Sequence, residues 1–185
     1  MKVLIDLTSL ADNFSGIERF ALSITKELIS DQSRSDIEYI LVFKNEIHKD
    51  FSAEQNNVRK IIVRGKNKLI FNQLQLPLKL TTIKADYYFF PAFPAPFFFF
   101  NRNAISAIHD VGCWDCPSKN KRYMTLYFKL MYRKAALGHK KVVTVSQFSK
   151  DRISKILKKE PNEIAVIYDG LSDCFADFCY DKEQD

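Results

Sequence analysis

The sequence lacks long hydrophobic runs, is poor in glycine and contains no internal repeat, and each absence narrows the class of protein. The stretch 87–100 is apolar throughout but contains three prolines, and it falls short of the roughly 18 residues that a membrane-spanning helix needs. Five glycines and six prolines exclude a collagen-like or low-complexity chain. Residues 1–10 carry an acid inside the apolar run and no small-residue cleavage site, which predicts a strand rather than a signal peptide.

Cysteine is also scarce, with four residues and no accompanying secretion signal, which predicts a reduced, cytoplasmic protein. What remains is the mixture of a globular protein, with 46% hydrophobic and 27% charged residues. A length of 185 residues suits one domain with a proper core. We therefore expect one domain over 1–172, followed by a polar segment, 173–185, that is a loose tail or the start of an interdomain segment.

Acidic residues are nearly missing from one stretch of the chain. From Lys119 to Glu160 there are 13 lysines and arginines against two acids, whereas the whole chain carries a formal charge of +6. A one-sided basic region favours polyanionic partners: nucleic acid, phosphorylated ligands or an anionic membrane surface. For any single lysine, a solvated helix face is the simpler interpretation.

Strand and helix signals alternate along the chain. Short apolar runs predict strands at 2–7, 37–43, 58–63, 86–90, 104–108, 142–145 and 163–167. Apolar residues at helical spacing predict helices at 17–28, 68–80, 119–137 and 146–158. Pro77 argues against helix in the second half of 68–80. Helix 119–137 shows a polar stripe of Arg122, Thr125, Lys129 and Arg133.

Short apolar strands interleaved with helices predict an α/β fold: a Rossmann-like, doubly wound, mostly parallel sheet with helices on both faces. In such a sheet, ligands bind beyond the carboxyl ends of the strands. That rule selects four places, which are the turn 13–17, the segment 91–94, the pair His109 and Asp110, and Ser146.

The start of the first helix is the first of these places. Ser15 occupies an N-cap position with Glu18 three residues later, which predicts a capping box. Backbone N–H groups at a helix N-terminus favour a phosphate or carboxylate, and Gly16 allows a ligand to come close. Arg19 could add a charge-assisted contact. One glycine is far from a dinucleotide fingerprint, however, and an ordinary capped helix start explains the stretch as well.

Of the three histidines, only His109 ends a predicted strand at the ligand-binding edge. A histidine there can hydrogen-bond a sugar hydroxyl or act in proton transfer, or it can be a satisfied structural residue. His48 and His139 lie in polar stretches that we expect to be exposed, and we assign them no role.

Cys113 and Cys116 form a C-x-x-C pair that raises the possibility of redox or metal chemistry. A thioredoxin-like motif should open a helix, whereas here Pro117 follows at once and the helix is predicted to begin later. A zinc site would need a second pair at ligand spacing, and Cys174 and Cys179 are four residues apart with a poor match. We favour two apolar loop residues over a thiol or zinc site.

The segment 89–100 holds seven of the sixteen phenylalanines. Part of it must be core strand, but three prolines prevent the whole from being strand. An exposed aromatic loop beside a basic helix would suit a membrane interface or a lipid-linked ligand. Rings that close the core explain the segment equally well.

Five blocks of the sequence, taken together, resemble the N-terminal domain of the family 4 retaining glycosyltransferases, which have the GT-B fold of two Rossmann-like domains facing a cleft. The blocks are 16–20 (GIERF), 85–91 (ADYYFFP), 109–111 (HDV) with Pro117, 144–150 (TVSQFSK) and 164–170 (IAVIYDG). They are similar to the family's G-(I/V)-x-R-(Y/F), A-D-x-x-x-x-P, H-D-(L/V) with a later proline, T-V-S-x-F-S-(K/R) and I-x-V-I-(Y/P)-N-G. Asp169 stands where the family usually has Asn, and Ser118 where it often has an acid.

The resemblance implies roles for the residues selected above. It implies that His109 is catalytic and contacts the transferred sugar, and that the helix start at Ser15, Gly16 and Arg19 faces the donor diphosphate. It implies acceptor or sugar contacts from Asp110, Pro91, Phe93 and Ser146. No metal or cofactor is implied, since the nucleotide sugar is a substrate.

The resemblance further implies that this chain is one half of an enzyme. The family's donor-binding domain would follow the last strand, and without it we expect no turnover. The expected partners are a nucleotide-sugar donor, a polysaccharide or lipid-diphosphate-linked acceptor of the O-antigen or capsule type, the missing domain and an anionic membrane at its inner face. We expect no nucleic acid. The alternatives are a non-catalytic truncated or split binding module that needs a C-terminal partner, and a thiol oxidoreductase using Cys113 and Cys116.

Overall fold

A computed structural model describes residues 1–10, 15–31, 33, 36–117 and 121–170. Asn13 of the first turn and Ser118 lie outside the described residues, as does the segment 173–185 with its two cysteines. The predicted domain boundary at 172 therefore stays a prediction.

Seven strands form a single sheet in which every neighbouring pair is parallel. They are β1 (Lys2–Asp6), β2 (Glu38–Lys44), β3 (Val58–Val63), β4 (Tyr87–Phe90), β5 (Ala104–Ala107), β6 (Lys141–Thr144) and β7 (Ile164–Val166). Their order, β3-β2-β1-β4-β5-β6-β7, is that of a doubly wound Rossmann-like sheet. The predicted fold class is confirmed, and each strand end lies within one residue of its predicted place.

The helices fill the connections between the strands. They are α1 (Gly16–Ser30), α2 (Lys68–Ile70), a π-helical segment (Phe71–Gln75), α3 (Leu76–Thr82), α4 (Gly112–Asp115), α5 (Arg122–Gly138) and α6 (Gln147–Leu157). Short 3-10 turns occur at Lys49–Phe51 and Pro161–Glu163.

Crossovers between parallel strands are right-handed, so the direction of each crossover decides which face its helix covers. The chain moves from β1 to β2 through α1, whose Phe20 packs with Ile5 and Leu41 on one face. After β3 the chain crosses back over the sheet and then continues in the opposite direction. The segment 68–82 (α2, the π-helical segment and α3, together called helix 68–82), the loop 91–100, α5 and α6 therefore form a layer on the opposite face. We call this the second layer.

Pro77 does not interrupt helix 68–82, so the prediction against helix there is wrong. Proline lacks the N–H that would bond to the carbonyl four residues earlier. The π-helical segment Phe71–Gln75 comes directly before α3. In a π-helix each N–H bonds to the carbonyl five residues earlier rather than four. Pro77 therefore lies in the first turn of α3, where a missing N–H costs little.

The polar stripe of α5 is exposed only in part. Thr125 is only 7% exposed, whereas Leu126, Leu130 and Leu137 are exposed. The helix buries Ala135 against the sheet, and this register places Thr125 on the inner side. The outer side of α5 is thus more apolar than a surface helix normally is.

The phenylalanine-rich segment 89–100 divides between core and surface. Phe90 and Phe99 are buried and pack against each other with ring centroids 5.6 Å apart. Phe93, Phe98 and Phe100 are 43%, 53% and 77% exposed. Some of the rings in this segment therefore close the core, whereas others are exposed.

Candidate functional site

His109 follows β5 at the carboxyl edge of the sheet and is half-buried. Its Nε2 lies 3.0 Å from the carbonyl oxygen of Pro91, and the ring of Phe20 meets it edge-on with centroids 5.0 Å apart. Since a carbonyl can only accept, Nε2 carries the proton, and in the neutral ring Nδ1 has a free lone pair. The residue is therefore fixed in orientation and tautomer.

The pKa of His109 is lowered mainly by burial, which disfavours the charged ring. The hydrogen bond to Pro91 and the nearby carboxylates of Asp169 and Asp110 act in the opposite direction without cancelling the shift. His109 is accordingly neutral at pH 7.

Each of the four other sequence blocks places a residue beside His109, which belongs to the block 109–111. Phe20 and Pro91 contact its ring, and the hydroxyl of Thr144 lies 3.5 Å from its backbone carbonyl oxygen. Asp169 interacts with it electrostatically. Residues that are widely spaced along the chain thus converge on one residue, because the carboxyl ends of parallel strands meet at the same edge.

The N-terminus of α1 lies at this edge as well. The carboxylate of Glu18 accepts a hydrogen bond from the N–H of Ser15 at 2.7 Å, and the predicted capping box is confirmed. Among the described residues, no atom lies within 4 Å of a Cβ placed at Gly16, and Ser15, Gly16 and Arg19 are all exposed. The backbone N–H groups of a helix start of this kind can bind an anion.

Ser146 and Asp110 already have hydrogen-bond partners within the protein. The hydroxyl of Ser146 accepts from the N–H of Ser149 at 3.1 Å and so caps α6. The carboxylate of Asp110 accepts from the N–H of Gly112 at 2.7 Å and is exposed. Pro91 is buried and contributes its carbonyl to His109.

A cavity of about 860 Å³ opens at the same edge, beyond the ends of β1 and β2. Its walls come from β1, β2, helix 68–82, the loop 91–100 and α5, and of the predicted contact residues Phe93 is the one that lines it. Polar and aromatic side chains alternate around it, including Asp6, Ser9, Asn45, Gln73, Phe93, Tyr127 and Phe128. Such a mixture in a cavity of this size is typical of a small-molecule site.

Asp6 is a cavity residue that the sequence analysis missed. Its carboxylate accepts the N–H of Thr8 at 3.0 Å, yet burial raises its pKa despite that bond. The buried hydroxyl of Ser9, nearby in the cavity wall, has no hydrogen-bond partner among the described residues. An acid at the end of an otherwise apolar strand was the signal that could have identified Asp6.

The expectation that His48 and His139 are exposed is wrong, because they are 8% and 5% exposed. His48 accepts the N–H of Asp50 at 3.3 Å and lines the cavity. His139 pairs with the hydroxyl of Ser106 at 2.9 Å, and burial is the main reason that its pKa falls to about 4. Both side chains turn inward at element ends while their polar sequence neighbours remain outside.

The cysteine pair does not have the properties of a reactive thiol site. Cys113 lies in the short helix α4 rather than in the predicted loop, and it is buried, while Cys116 is exposed. Burial raises the pKa of Cys113 to about 11, whereas reactive cysteines have lowered values. Within the described part of the chain, no three His, Cys, Asp or Glu side chains are grouped as metal ligands.

The fold is a Rossmann-like α/β domain, and a cavity opens at the carboxyl edge of its sheet. No protein-family model and no curated protein matches the sequence. Among solved structures, the chain is similar to the apo form of the lipopolysaccharide outer core galactosyltransferase WaaB, with 11% identity and a TM-score of 0.49. The alignment covers 93% of this chain and 46% of that one, so this chain spans less than half of the length of WaaB. A functional assignment therefore rests on the chain's own residues.

Proposed function

We propose that this chain is the acceptor-binding half of a retaining glycosyltransferase of GT-B architecture, which moves a hexose from a nucleotide sugar to a saccharide acceptor. The observation that carries the proposal is that four of the glycosyltransferase-like blocks each bring a residue to His109, which belongs to the fifth.

In this proposal His109 positions the sugar that is transferred. Its Nε2–H is held by Pro91, which leaves the Nδ1 lone pair to accept a hydrogen bond from a sugar hydroxyl. The exposed start of α1, with Ser15, Gly16 and Arg19, faces the diphosphate leaving group and stabilises its developing charge. The donor-binding domain supplies the remaining contacts to the nucleotide.

The acceptor occupies the cavity beyond β1 and β2. Phe93 and Tyr127 offer aromatic surfaces to a sugar ring, and Asp6 and Gln73 offer hydrogen-bonding groups to its hydroxyls. A volume of about 860 Å³ accommodates a mono- or disaccharide. Asp110 and Ser146 do not line this cavity, and in this proposal they contact the transferred sugar near His109. The acceptor class that we propose is a polysaccharide precursor, free or linked to a lipid diphosphate, on the cytoplasmic side of the membrane.

The proposal is tested with the chain alone and with a donor-binding half supplied as a second chain. Alone, the chain should transfer no sugar and should bind nucleotide sugars weakly. With the donor-binding half, transfer should appear, and His109→Asn should lower its rate by about a hundredfold. The matched change Cys116→Ser should leave the rate unchanged. Sugar transfer by the unassisted chain would contradict the proposal, and acceptor binding without transfer in the pair would assign a non-catalytic module.

Acceptor binding is measured on the chain alone by titrating mono- and disaccharide diphosphates that lack a lipid and following amide chemical shifts. Phe93→Ser should weaken binding by about tenfold, since it removes an aromatic wall of the cavity. Phe100→Ser is the matched control, because Phe100 is exposed but does not line the cavity. Equal losses in both variants would place the acceptor outside the cavity.

A further inference from the structure

Several polar side chains in the wall of the cavity already have hydrogen-bond partners within the protein. Gln73 uses both ends of its amide, since its oxygen accepts the N–H of Phe97 at 3.0 Å and its nitrogen donates to the hydroxyl of Tyr127. The side-chain oxygen of Asn45 accepts the N–H of Gly65 at 3.0 Å. These side chains are therefore held in place by the protein itself.

Asp6 is the polar group of the wall with the most unused capacity. Within the described ranges, its hydrogen-bond donors both belong to Thr8, which offers its backbone N–H at 3.0 Å and its hydroxyl. A carboxylate can accept about four hydrogen bonds. No described lysine or arginine forms an ion pair with Asp6. The carboxylate thus lines the cavity without a counter-ion.

The two lysines of the cavity wall do not neutralise Asp6. The ammonium group of Lys44 lies 4.9 Å from the ring centroid of Phe71, and Lys49 is exposed. Neither of them affects the pKa of Asp6, which is raised by burial and lowered only by the hydrogen bonds from Thr8. A positive charge beside Asp6 would therefore have to come with a ligand.

Aromatic rings line the same cavity, among them Phe93, Tyr127 and Phe128. The rings of Tyr127 and Phe128 meet edge-on with centroids 5.6 Å apart. The face of an aromatic ring attracts a cation, and rings grouped in a pocket are a common means of binding ammonium groups. The cavity thus combines a carboxylate that lacks a counter-ion with aromatic surfaces that favour a cation.

We infer that the cavity selects an acceptor saccharide with a free amino group, whose ammonium group pairs with Asp6. The inference rests on the proposed use of the cavity as the acceptor site. An ammonium group has three N–H donors and no acceptor, which complements a carboxylate. Its charge also offsets the cost of burying that carboxylate, whereas a hydroxyl or an N-acetyl group brings a donor without a charge.

The net charge of the protein cannot produce this selectivity. The chain carries a formal charge of +6, which repels a cationic ligand at a distance. A preference for the amino sugar would therefore report a local contact.

The test is a titration of the purified chain with the methyl glycosides of glucosamine, glucose and N-acetylglucosamine, followed by amide chemical shifts. At about pH 7 the amino group is largely protonated. The glucosamine glycoside should bind at least about tenfold more tightly than the other two, because its hydrogen bond to Asp6 joins two charged groups.

Asp6→Asn tests the contact, since it keeps the shape of the side chain and an oxygen that can accept the N–H of Thr8. The variant should bind the glucosamine glycoside about tenfold more weakly and the glucose glycoside almost as wild type does. Unchanged binding of the glucose glycoside also verifies that the variant folds. Glu27→Gln is the matched control, because it removes the same charge from an exposed position on α1 outside the cavity, and it should keep the preference.

Two kinds of result would overturn the inference, and they differ in what they say of the proposed function. Equal affinity for the three glycosides, a preference for the N-acetyl form, or a preference for glucosamine that persists in Asp6→Asn would refute the inference and leave the acceptor cavity in place. Binding of none of the three glycosides would refute both.

Discussion

His109 shows how a single residue receives its chemistry from distant parts of the chain. Its ring is oriented by a carbonyl after β4, packed by a residue of α1 and shielded from water by the edge of the sheet. The sequence marks the histidine by its position at the end of a strand and in the block 109–111. Its tautomer and neutral state follow from the Pro91 carbonyl and from burial, neither of which is visible in local sequence.

His139 provides a pH-dependent prediction at the same scale. Its pKa is lowered from 6.5 to about 4, so on acidification the unfolded chain takes up a proton before the folded chain does. The stability associated with the neutral ring is present above pH 6.5 and is lost as the pH falls toward 4, by up to about 3 kcal/mol.

The measurement is the free energy of unfolding in urea at several pH values between 4 and 7, for the wild type and His139→Gln. The variant should show a shallower loss of stability on acidification, even where its stability at pH 7 is lower. His109 also has a lowered pKa, but it is present in both proteins and cancels in the difference. Equal slopes in the two proteins would refute the assignment.

At the scale of elements, the strands could be predicted and the helix faces could not. Runs such as 37–43 are apolar because parallel strands in the interior of a sheet are buried on both sides, and this signal is local. For α5, the simplest assumption is that polar residues mark the exposed side. That assumption fails where an exposed side is itself apolar, as at Leu126 and Leu130. When a helix is apolar on two sides, its sequence alone does not show which side packs against the sheet.

Lys134 gives a prediction for the loop 91–100 as an element. Lys134→Met keeps the length of the side chain but removes both charge-assisted hydrogen bonds, leaving the carbonyls of Pro96 and Phe99 without this donor. A hydrogen bond to a charged group contributes about 1.5–3 kcal/mol. The amide of Phe99 should therefore exchange with deuterium at least about tenfold faster in the variant.

Arg133→Met is the matched control, because Arg133 is an exposed neighbour on the same helix. It removes a charge of the same sign without touching the carbonyls that Lys134 holds. Exchange at Phe99 that is equally fast in both variants, or unchanged in both, would show that the loop is held by its buried rings alone.

At the scale of the whole molecule, the strand order could be expected from alternating elements, but the cavity could not. Asp6, Asn45, Gln73 and Phe93 come from four separate segments, and only the order of the strands brings them together. A family resemblance drew attention to positions in recurring blocks, and Phe93 is the one predicted contact residue that proved to line the cavity. Residues that lie outside the blocks, such as Gln73, carry no comparable signal.

The central position of β1 gives a prediction for the whole sheet. β1 is paired on both sides, and Leu4 and Ile5 are fully buried in two different clusters. Its amides can exchange only when both halves of the sheet open, so they should be the slowest in the molecule, while those of the edge strand β7 should exchange earlier. Hydrogen exchange followed by mass spectrometry measures this order. Protection of β7 equal to that of β1 would contradict it.

The segregation of charge has one more consequence, which concerns approach rather than contact. Three segments, 64–85, 91–109 and 116–150, hold fifteen cations and no anion, and the chain as a whole carries a net charge of +6. A cationic molecule attracts anionic partners from a distance, before any atoms touch. At low ionic strength an anionic partner would therefore meet the protein more often, and raising the salt concentration would slow the encounter.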